Sequence, residues 1–205
     1  MANKTSIEGW KIMDIEIKRQ VIHATGIFTI LLIQIFGRFL AAIFVLTIAA
    51  AFWTASYYRL NKQKMKLKII PKELEKMDAF IAKEFERPKE FPMKGAISFY
   101  MGAFLAIALF PKSIAMAAII VLAISDSSST IWGKFYGKHK IPFNKNKSFE
   151  GSIAFLIPAF IILSFFVNMT NAILISLVAT FVEMLPKLED NITIPIAIGV
   201  LLSLA

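Results

Sequence analysis

The chain has no cysteine, and its 205 residues include only two histidines, His23 and His139. The lack of cysteine excludes disulfides and thiolate metal sites, and two histidines argue against a histidine-rich zinc site. No GxxxxGK[ST] motif occurs, which excludes a P-loop nucleotide site. The first 20 residues also lack the charged-then-apolar pattern and small-residue cleavage site of a removable signal peptide.

Apolar residues are what the chain has in excess. It is 57% hydrophobic with 19 phenylalanines, above the roughly 45–50% apolar content of soluble domains. Seven apolar blocks approach the length of a membrane span: 21–36, 39–58, 95–110, 113–125, 151–167, 171–185 and 192–205. The sequence therefore predicts an all-α, polytopic membrane bundle of about seven transmembrane helices, forming one domain over residues 1–205.

The apolar blocks leave two helix boundaries open. A single helix over residues 21–58 would be roughly twice as long as a bilayer requires, so we expect a tight reversal at Gly37 and Arg38. The block 113–125 is short, and we expect its helix to continue through Asp126 towards Trp132. That continuation places the Asp126 carboxylate near the edge of the bilayer.

The polar segments are predicted to lie at the membrane surface. Residues 1–20 indicate an interfacial helix, and 59–94 indicate a cytosolic loop. Within that loop, Pro71 is well placed to open an amphipathic helix over residues 72–87. The loop either anchors the protein to the surface or helps to gather an anionic substrate with its lysines.

The basic residues are distributed very unevenly. The net charge is +9, which in a membrane protein indicates anionic headgroups or substrates and no nucleic acid partner. If the spans alternate, all but Arg38 and Lys112 of the 23 lysines and arginines lie on one side. The positive-inside rule makes that side cytoplasmic, as in a multi-pass protein of the cell membrane. The acidic residues lie there too, whereas a transporter would place ionisable groups near the midplane.

Small and polar residues form a stripe after the fourth block. In a helix, Asp126, Thr130, Gly133 and Gly137 would share one face. Four basic or ionisable residues lie within or just after the stripe: Lys134, Lys138, His139 and Lys140. This combination suits a metal-bound polyphosphate. The alternative is a small-residue helix contact with lysines as interfacial anchors.

Three carboxylates lie at the cytosolic ends of different spans. Asp126, Glu183 and Asp190 offer hard oxygen ligands that suit Mg²⁺. Glu183 belongs to the otherwise apolar segment ISLVATFVEML and must have a partner, because an unpaired charge there would cost several kcal/mol. Lys187, one turn later, is the alternative and purely structural partner.

Further candidates flank these carboxylates. Lys147, Ser148, Glu150 and Gly151 come together at the start of the fifth block. We expect Lys147 and Lys138 to bind phosphate, with Arg19 behind them. His23 is either an ordinary buried histidine or a functional group.

Read in order, these residues resemble the CTP-dependent lipid kinases, which include dolichol kinase, phytol kinase and CTP-dependent diacylglycerol kinase, in their compact form. Four places carry the resemblance: Glu16 to His23, Asp126 to Lys140, Lys147 to Gly151, and Glu183 with Asp190 to Pro195. The sequence departs from the family pattern at Gln20, where a second basic residue is common, and at Ser127 to Ser129, where alanines are common.

The resemblance implies an integral-membrane kinase with Mg²⁺ as its metal. It would transfer the γ-phosphoryl group of CTP to a lipid alcohol, a polyprenol or dolichol above all, giving the lipid monophosphate and CDP. The catalytic candidates are Asp126, Glu183 and His23, and the metal candidates are Asp126, Asp190 and Glu183. The nucleotide-binding candidates are Arg19, Gly133, Lys134, Gly137, Lys138, His139, Lys140, Lys147, Ser148, Glu150 and Gly151.

Two other functions stay open at this point. A CTP-dependent cytidylyltransferase, which makes a CDP-activated lipid from a lipid phosphate, would use similar carboxylates and lysines. A small transporter or assembly factor would need no catalytic group, but the one-sided placement of charge argues against it.

Overall fold

A computed structural model describes residues 2–65, 72–86, 91–186 and 189–205. Within these ranges, side chains are described for all residues except 2–12, 62–65 and 72–74. The helices are α1 (Ala2–Thr25), α2 (Thr29–Met65), α3 (Lys72–Phe85), α4 (Lys94–Leu109), α5 (Lys112–Val121), α6 (Ser127–Tyr136), α7 (Phe149–Leu163), α8 (Met169–Met184) and α9 (Asp190–Leu204). A 3-10 turn, Gly26–Phe28, joins α1 to α2, and a π turn, Leu122–Asp126, joins α5 to α6. Strands β1 (Lys140–Ile141) and β2 (Asn144–Ser148) pair antiparallel.

The predicted helical architecture is confirmed, with one addition. The described residues are helical apart from short connections and the β1–β2 hairpin, which the sequence analysis did not anticipate. Two helical stretches, Met13–Asn61 and Lys112–Tyr136, are long and apolar enough to cross a membrane. Helices α4, α7, α8 and α9 are apolar but shorter. Seven membrane crossings therefore remain a prediction.

The chain reverses at Gly37, as predicted. Gly37 has φ 74° and ψ 171°, a non-helical conformation that favours glycine, in the middle of α2. Before this break, Gly26 packs so tightly against Phe99 of α4 that a Cβ atom would lie 2.1 Å from the ring. After it, Phe52 stacks on Tyr100 at 5.9 Å between ring centroids. The two arms therefore pass the same level of α4 in opposite directions.

Both basic residues assigned to the second side lie at that end of the bundle. Arg38, next to the reversal, donates from Nη1 to the carbonyl of Phe110 at 2.8 Å. Phe110 follows α4, and Lys112 begins α5. The guanidinium thus satisfies a carbonyl that the end of α4 would otherwise leave without a helical partner.

Two predicted helix boundaries can be compared with the structure. The helix of the fourth block does continue past Asp126, since α5, the π turn and α6 form one stretch from Lys112 to Tyr136. An interfacial helix over residues 1–20 stays a prediction, and the structure shows that α1 runs without a break from Ala2 to Thr25, past the predicted boundary at residue 20. No glycine or proline lies between residues 10 and 25 to end it.

The predicted amphipathic segment is helix α3, and ion pairs hold it against the first two helices. Arg59 of α2 donates from Nε to Asp78 at 2.9 Å and from Nη1 to Glu86 at 2.6 Å. Lys18 of α1 donates to Glu84 at 2.7 Å. Helix α3 therefore covers the end of the bundle where Asp14, Lys18 and their neighbours lie.

Small residues allow the central helices to approach closely. A Cβ atom on Gly102 of α4 would lie 1.8 Å from the carbonyl oxygen of Asn191 in α9. Ala103 and Ala106 of α4 are fully buried, as are Ala117 and Ala118 of α5. Close contact of this kind brings the first residues of α9 to the same end as α6 and the hairpin.

Candidate active site

The centre of the candidate site is a lysine between two carboxylates. Lys147 of β2 donates from Nζ to Glu183 Oε1 at 2.7 Å and to Asp190 Oδ2 at 2.6 Å. Glu183 lies at the end of α8 and Asp190 at the start of α9. One ammonium group therefore ties the hairpin to two helices that are far from it in sequence.

Glu183 has the partners that its burial requires. It is only 1% exposed, and besides Lys147 it accepts hydrogen bonds from Ser129 Oγ at 2.8 Å and Ser152 Oγ at 3.1 Å. These contacts compensate a carboxylate that would otherwise be costly to bury. Lys187, the alternative structural partner, lies outside the described residues.

The two serines are residues that sequence analysis missed as part of the site. Ser129 was seen only as a departure from a family pattern, and Ser152 was not singled out. Their hydroxyl groups could have identified them, because a buried glutamate requires hydrogen-bond donors. Each serine also lies on a helix that carries a candidate residue. Only the packing of α7 against both α6 and α8 shows which serines face Glu183.

The electrostatic surroundings keep Lys147 charged. Burial alone would lower its pKa, but the negative charges of Glu183, Asp190 and Asp126 outweigh that effect and hold the pKa above its usual range. At neutral pH the ammonium is therefore fully protonated. Such a cation can meet the charge of a phosphoryl group.

The glycine stripe makes a helix contact. A Cβ atom on Gly133 would lie 3.3 Å from Ser148 Oγ and 3.4 Å from the Cα atom of Gly151. On Gly137 it would lie 2.4 Å from Ser148 Oγ, and on Gly151 3.2 Å from the Cα atom of Gly133. These glycines thus form a small-residue contact between α6 and α7. Ser148 caps α7 by accepting a hydrogen bond from the N–H of Gly151 at 3.2 Å.

The same glycines line a cleft of about 510 Å³, which we call the polar cleft. Its lining includes these predicted residues: Gly133, Lys134, Gly137, Lys140, Lys147, Ser148, Gly151, Glu183 and Asp190. Lys134 also donates to the buried Glu16 of α1 at 2.8 Å. The cleft therefore combines cationic side chains with helix surfaces that lack side chains, as a polyphosphate site requires.

Four predicted nucleotide-binding residues do not line this cleft: Arg19, Lys138, His139 and Glu150. His139 Nδ1 lies 2.6 Å from Glu150 Oε1, and its side chain is 79% exposed. Hydrogen bonds from the backbone of Glu150 itself, and then from His139 and Lys138, hold the pKa of the Glu150 carboxyl well below its usual range. Lys138 is exposed. This group connects the hairpin to the start of α7.

The remaining candidates line a second space of about 660 Å³, which we call the second cavity. Its lining includes Arg19, His23 and Asp126 together with other charged residues: Glu86, Lys94, Lys147, Glu189 and Asp190. His23 Nε2 lies 3.8 Å from Asp126 Oδ2 and has no hydrogen-bond partner among the described residues. Phe52 and Phe99 also line this cavity, and the ring of Phe99 lies 4.7 Å from that of His23.

The two spaces meet. Both are lined by Thr130, Asn146, Lys147 and Asp190, so the two spaces adjoin at these residues. Among the described residues, no group of three or more His, Asp or Glu side chains is arranged to hold a metal ion by itself. Lys147 lies between two of the three predicted metal ligands.

Comparison with known proteins gives a consistent set of relatives. The chain is 35% identical over 123 residues to the probable phytol kinase 3, chloroplastic, of Glycine max, covering 51% of this chain and 39% of the relative. It is 32% identical over 126 residues to the phytol kinase 1, chloroplastic, of Arabidopsis thaliana, covering 51% and 41%. It is 31% identical over 121 residues to the Arabidopsis thaliana farnesol kinase, chloroplastic, covering 50% and 39%.

The chain thus matches about two fifths of the length of these curated relatives. No family model matches it. No solved structure matches it either.

Proposed function

Because the chain is a distant homologue of plant phytol and farnesol kinases, we propose that it is an isoprenoid-alcohol kinase. It transfers the γ-phosphoryl group of CTP to the hydroxyl of an alcohol of the phytol or farnesol kind and releases the alcohol monophosphate and CDP. The relatives' names favour such alcohols over the dolichol expected from sequence. The choice of CTP rests on the family resemblance alone.

The junction of the two spaces carries this proposal. A kinase of this type must bring a water-soluble polyphosphate and a membrane-soluble alcohol to one point. The polar cleft has cations and glycine surfaces, the second cavity has aromatic side chains beside charged ones, and both reach Lys147 and Asp190. This arrangement suits the γ-phosphate of the nucleotide in one space and the hydroxyl of the alcohol in the other.

The reaction needs a proton acceptor and a cation. The alcohol oxygen bonds to the γ-phosphorus, the bond from that phosphorus to the oxygen bridging to the β-phosphate breaks, and CDP leaves. The hydroxyl proton passes to the pair formed by His23 and Asp126, which are 3.8 Å apart in the second cavity. Lys147 balances the negative charge on the transferred group.

The donor set also fits Mg²⁺ in part. Asp190 Oδ1 is buried without a hydrogen-bond partner in the described part of the chain, and Asp126 and Asp190 line the same cavity. These two carboxylates would hold the ion, with nucleotide oxygens as its other ligands. When bound, Mg²⁺ neutralises charge on the β- and γ-phosphates. Glu183 instead holds Lys147, Ser129 and Ser152 in place.

The same proposal includes a membrane location and an orientation for the protein. The site end of the bundle lies opposite Arg38 and Lys112, and most of the basic residues belong to the site side. We therefore assign a multi-pass membrane protein whose site faces the cytosol. The relatives' printed names describe chloroplastic proteins.

Purified protein in detergent tests the function directly. The protein is incubated with Mg²⁺ and farnesol, geranylgeraniol or phytol, using CTP labelled at either the α- or the γ-phosphorus. A kinase moves only the γ label to the lipid. Transfer of the α label to a lipid phosphate would instead identify the cytidylyltransferase alternative, and labelling of neither kind of lipid would refute both.

A further inference from the structure

Three buried oxygen atoms of the second cavity accept no hydrogen bond from the described residues. They are Gln20 Oε1, Asp190 Oδ1 and Asn191 Oδ1, and all three residues line this cavity. Gln20 is only 7% exposed. Burying an acceptor without a donor costs free energy, so three such oxygens in one cavity indicate a ligand that oxygen atoms bind.

Hydrogen bonds fix the orientation of the Asn191 amide. Its Nδ2 donates to Ser98 Oγ at 2.7 Å. Ser98 Oγ donates its single proton to the carbonyl of Gly95 at 3.2 Å, so towards Asn191 it can only accept. The amide therefore cannot turn over, and Asn191 Oδ1 is the atom left for a ligand.

The Gln20 amide is oriented in the same way. Its Nε2 donates to Glu16 Oε1 at 3.3 Å. Glu16 is paired with Lys134 at 2.8 Å and with Arg19 at 3.7 Å, and a carboxylate in such pairs only accepts hydrogen bonds. Gln20 thus turns its NH₂ group to Glu16 and keeps Oε1 for a ligand. A basic residue is common here in the family that the sequence resembles, whereas this chain offers a neutral oxygen.

These two amides lie beside the two carboxylates of the cavity. Ser127 Oγ donates to the backbone carbonyl of Gln20 at 3.3 Å, which places Gln20 next to the π turn that ends at Asp126. Asp190 directly precedes Asn191 at the start of α9. Asp190 uses Oδ2 for its ion pair with the hairpin, so its Oδ1 is available as well.

We propose that Gln20 and Asn191 join Asp126 and Asp190 as oxygen ligands of the divalent cation that the reaction uses. This inference rests on the proposed function, which assigns the ion to the two carboxylates. Amide oxygens are hard ligands like carboxylate oxygens and suit Mg²⁺. A neutral donor would satisfy single oxygens, whereas a cation beside two carboxylates satisfies all of them together.

The test measures binding of Mn²⁺, which prefers the same oxygen ligands as Mg²⁺. The protein is titrated without nucleotide or alcohol, and free Mn²⁺ is followed by electron paramagnetic resonance. Gln20→Met and Asn191→Leu keep the approximate size of each side chain but remove its oxygen, and each should weaken binding on the order of 10-fold. Gln20→Arg, which adds a positive charge, should weaken it at least as much.

Matched controls and a second measurement support this test. Gln34→Met and Asn171→Leu alter amides outside both spaces and should bind Mn²⁺ like the parent. Mg²⁺ alone should raise the melting temperature of the parent and of these controls more than that of the Gln20 and Asn191 variants. If Asn191→Leu fails to fold, the two Gln20 variants decide the question.

The outcomes separate the two proposals. Parent-like Mn²⁺ affinity in Gln20→Met and Asn191→Leu would overturn the ligand assignment, even if the parent transfers phosphate to an alcohol. Unchanged Mn²⁺ affinity with weaker CTP binding in EDTA would also overturn it, because the oxygens would then contact the nucleotide. Weaker Mn²⁺ binding in both variants, with normal controls, would establish the ligands. If the parent then transferred no phosphate to any alcohol, the kinase function alone would be refuted.

Discussion

Lys147 Nζ lies 2.6 Å from Asp190 Oδ2, so the second strand of the hairpin is joined directly to the first residue of α9. The same nitrogen lies 2.7 Å from Glu183 Oε1. Lys147 therefore both organises the site and supplies its central positive charge. Its removal should affect folding and catalysis together.

Lys147→Met should lose phosphoryl transfer and lower the free energy of unfolding by about 3–5 kcal/mol, because it leaves two carboxylates without their cation. Denaturation in detergent and γ-phosphoryl transfer measure the two effects. Lys145→Met is the control, since Lys145 is exposed on the same strand. A Lys147→Met protein that matched Lys145→Met in both measurements would contradict the proposed role.

Ser129→Ala and Ser152→Ala should each destabilise the protein by about 1.5–3 kcal/mol, because each removes a hydrogen bond to the buried Glu183 carboxylate. Thermal unfolding checks this, and combining each change with Glu183→Gln should show strong non-additivity. Ser128→Ala is the matched control, since its hydroxyl bonds the carbonyl of Ile124 at 2.8 Å. Equal effects at Ser128 and Ser129 would show that Glu183 has no special requirement for Ser129.

Asp126→Asn should reduce transfer by orders of magnitude while leaving the melting temperature near that of the parent. The amide keeps the shape of the side chain but removes the charge that holds Mg²⁺ and assists His23. The rise in melting temperature caused by Mg²⁺ with CTP should also disappear. Asp14→Asn, at an exposed carboxylate paired with Lys18, should retain both properties. Transfer by Asp126→Asn near the parent rate would exclude the assigned role.

Gly137→Ala should be far more disruptive than Gly133→Ala. A Cβ atom at residue 137 would lie 2.1 Å from the Gly133 carbonyl oxygen, which is backbone and cannot move away alone. At residue 133 the nearest atom is Ser148 Oγ at 3.3 Å, a contact that a small shift relieves. Melting temperature and the yield of folded protein measure the difference. Similar losses in both variants would argue against this packing of α6 on α7.

Single cysteines can test the orientation, because the chain has none of its own. Asn146→Cys, at the polar cleft, should not react with an impermeant thiol reagent applied outside intact cells. Thr170→Cys, exposed at the start of α8 at the other end of the bundle, should react. The reverse pattern would invert the assigned topology and place the site outside the cytosol.

The sequence by itself determined the helical framework. Long apolar blocks can satisfy their backbone hydrogen bonds only as helices within a membrane, so composition and block length located the helices. Gly37 marked the reversal because a positive φ favours glycine. The uneven distribution of lysine and arginine showed which end carries the polar groups, and the structure places Arg38 and Phe110 together at the opposite end.

Tertiary structure decided the partners of the site residues. The segment KIPFNKNKS has no alternating apolar pattern, and its pairing as a hairpin depends on contacts with α7. Glu183 meets Lys147, which is 36 residues earlier in the chain, and Ser129, which is 54 residues earlier. His139 and Glu150 bind each other outside the cleft. Contacts over such separations depend on how helices pack, and no local pattern of charge or hydrophobicity specifies them.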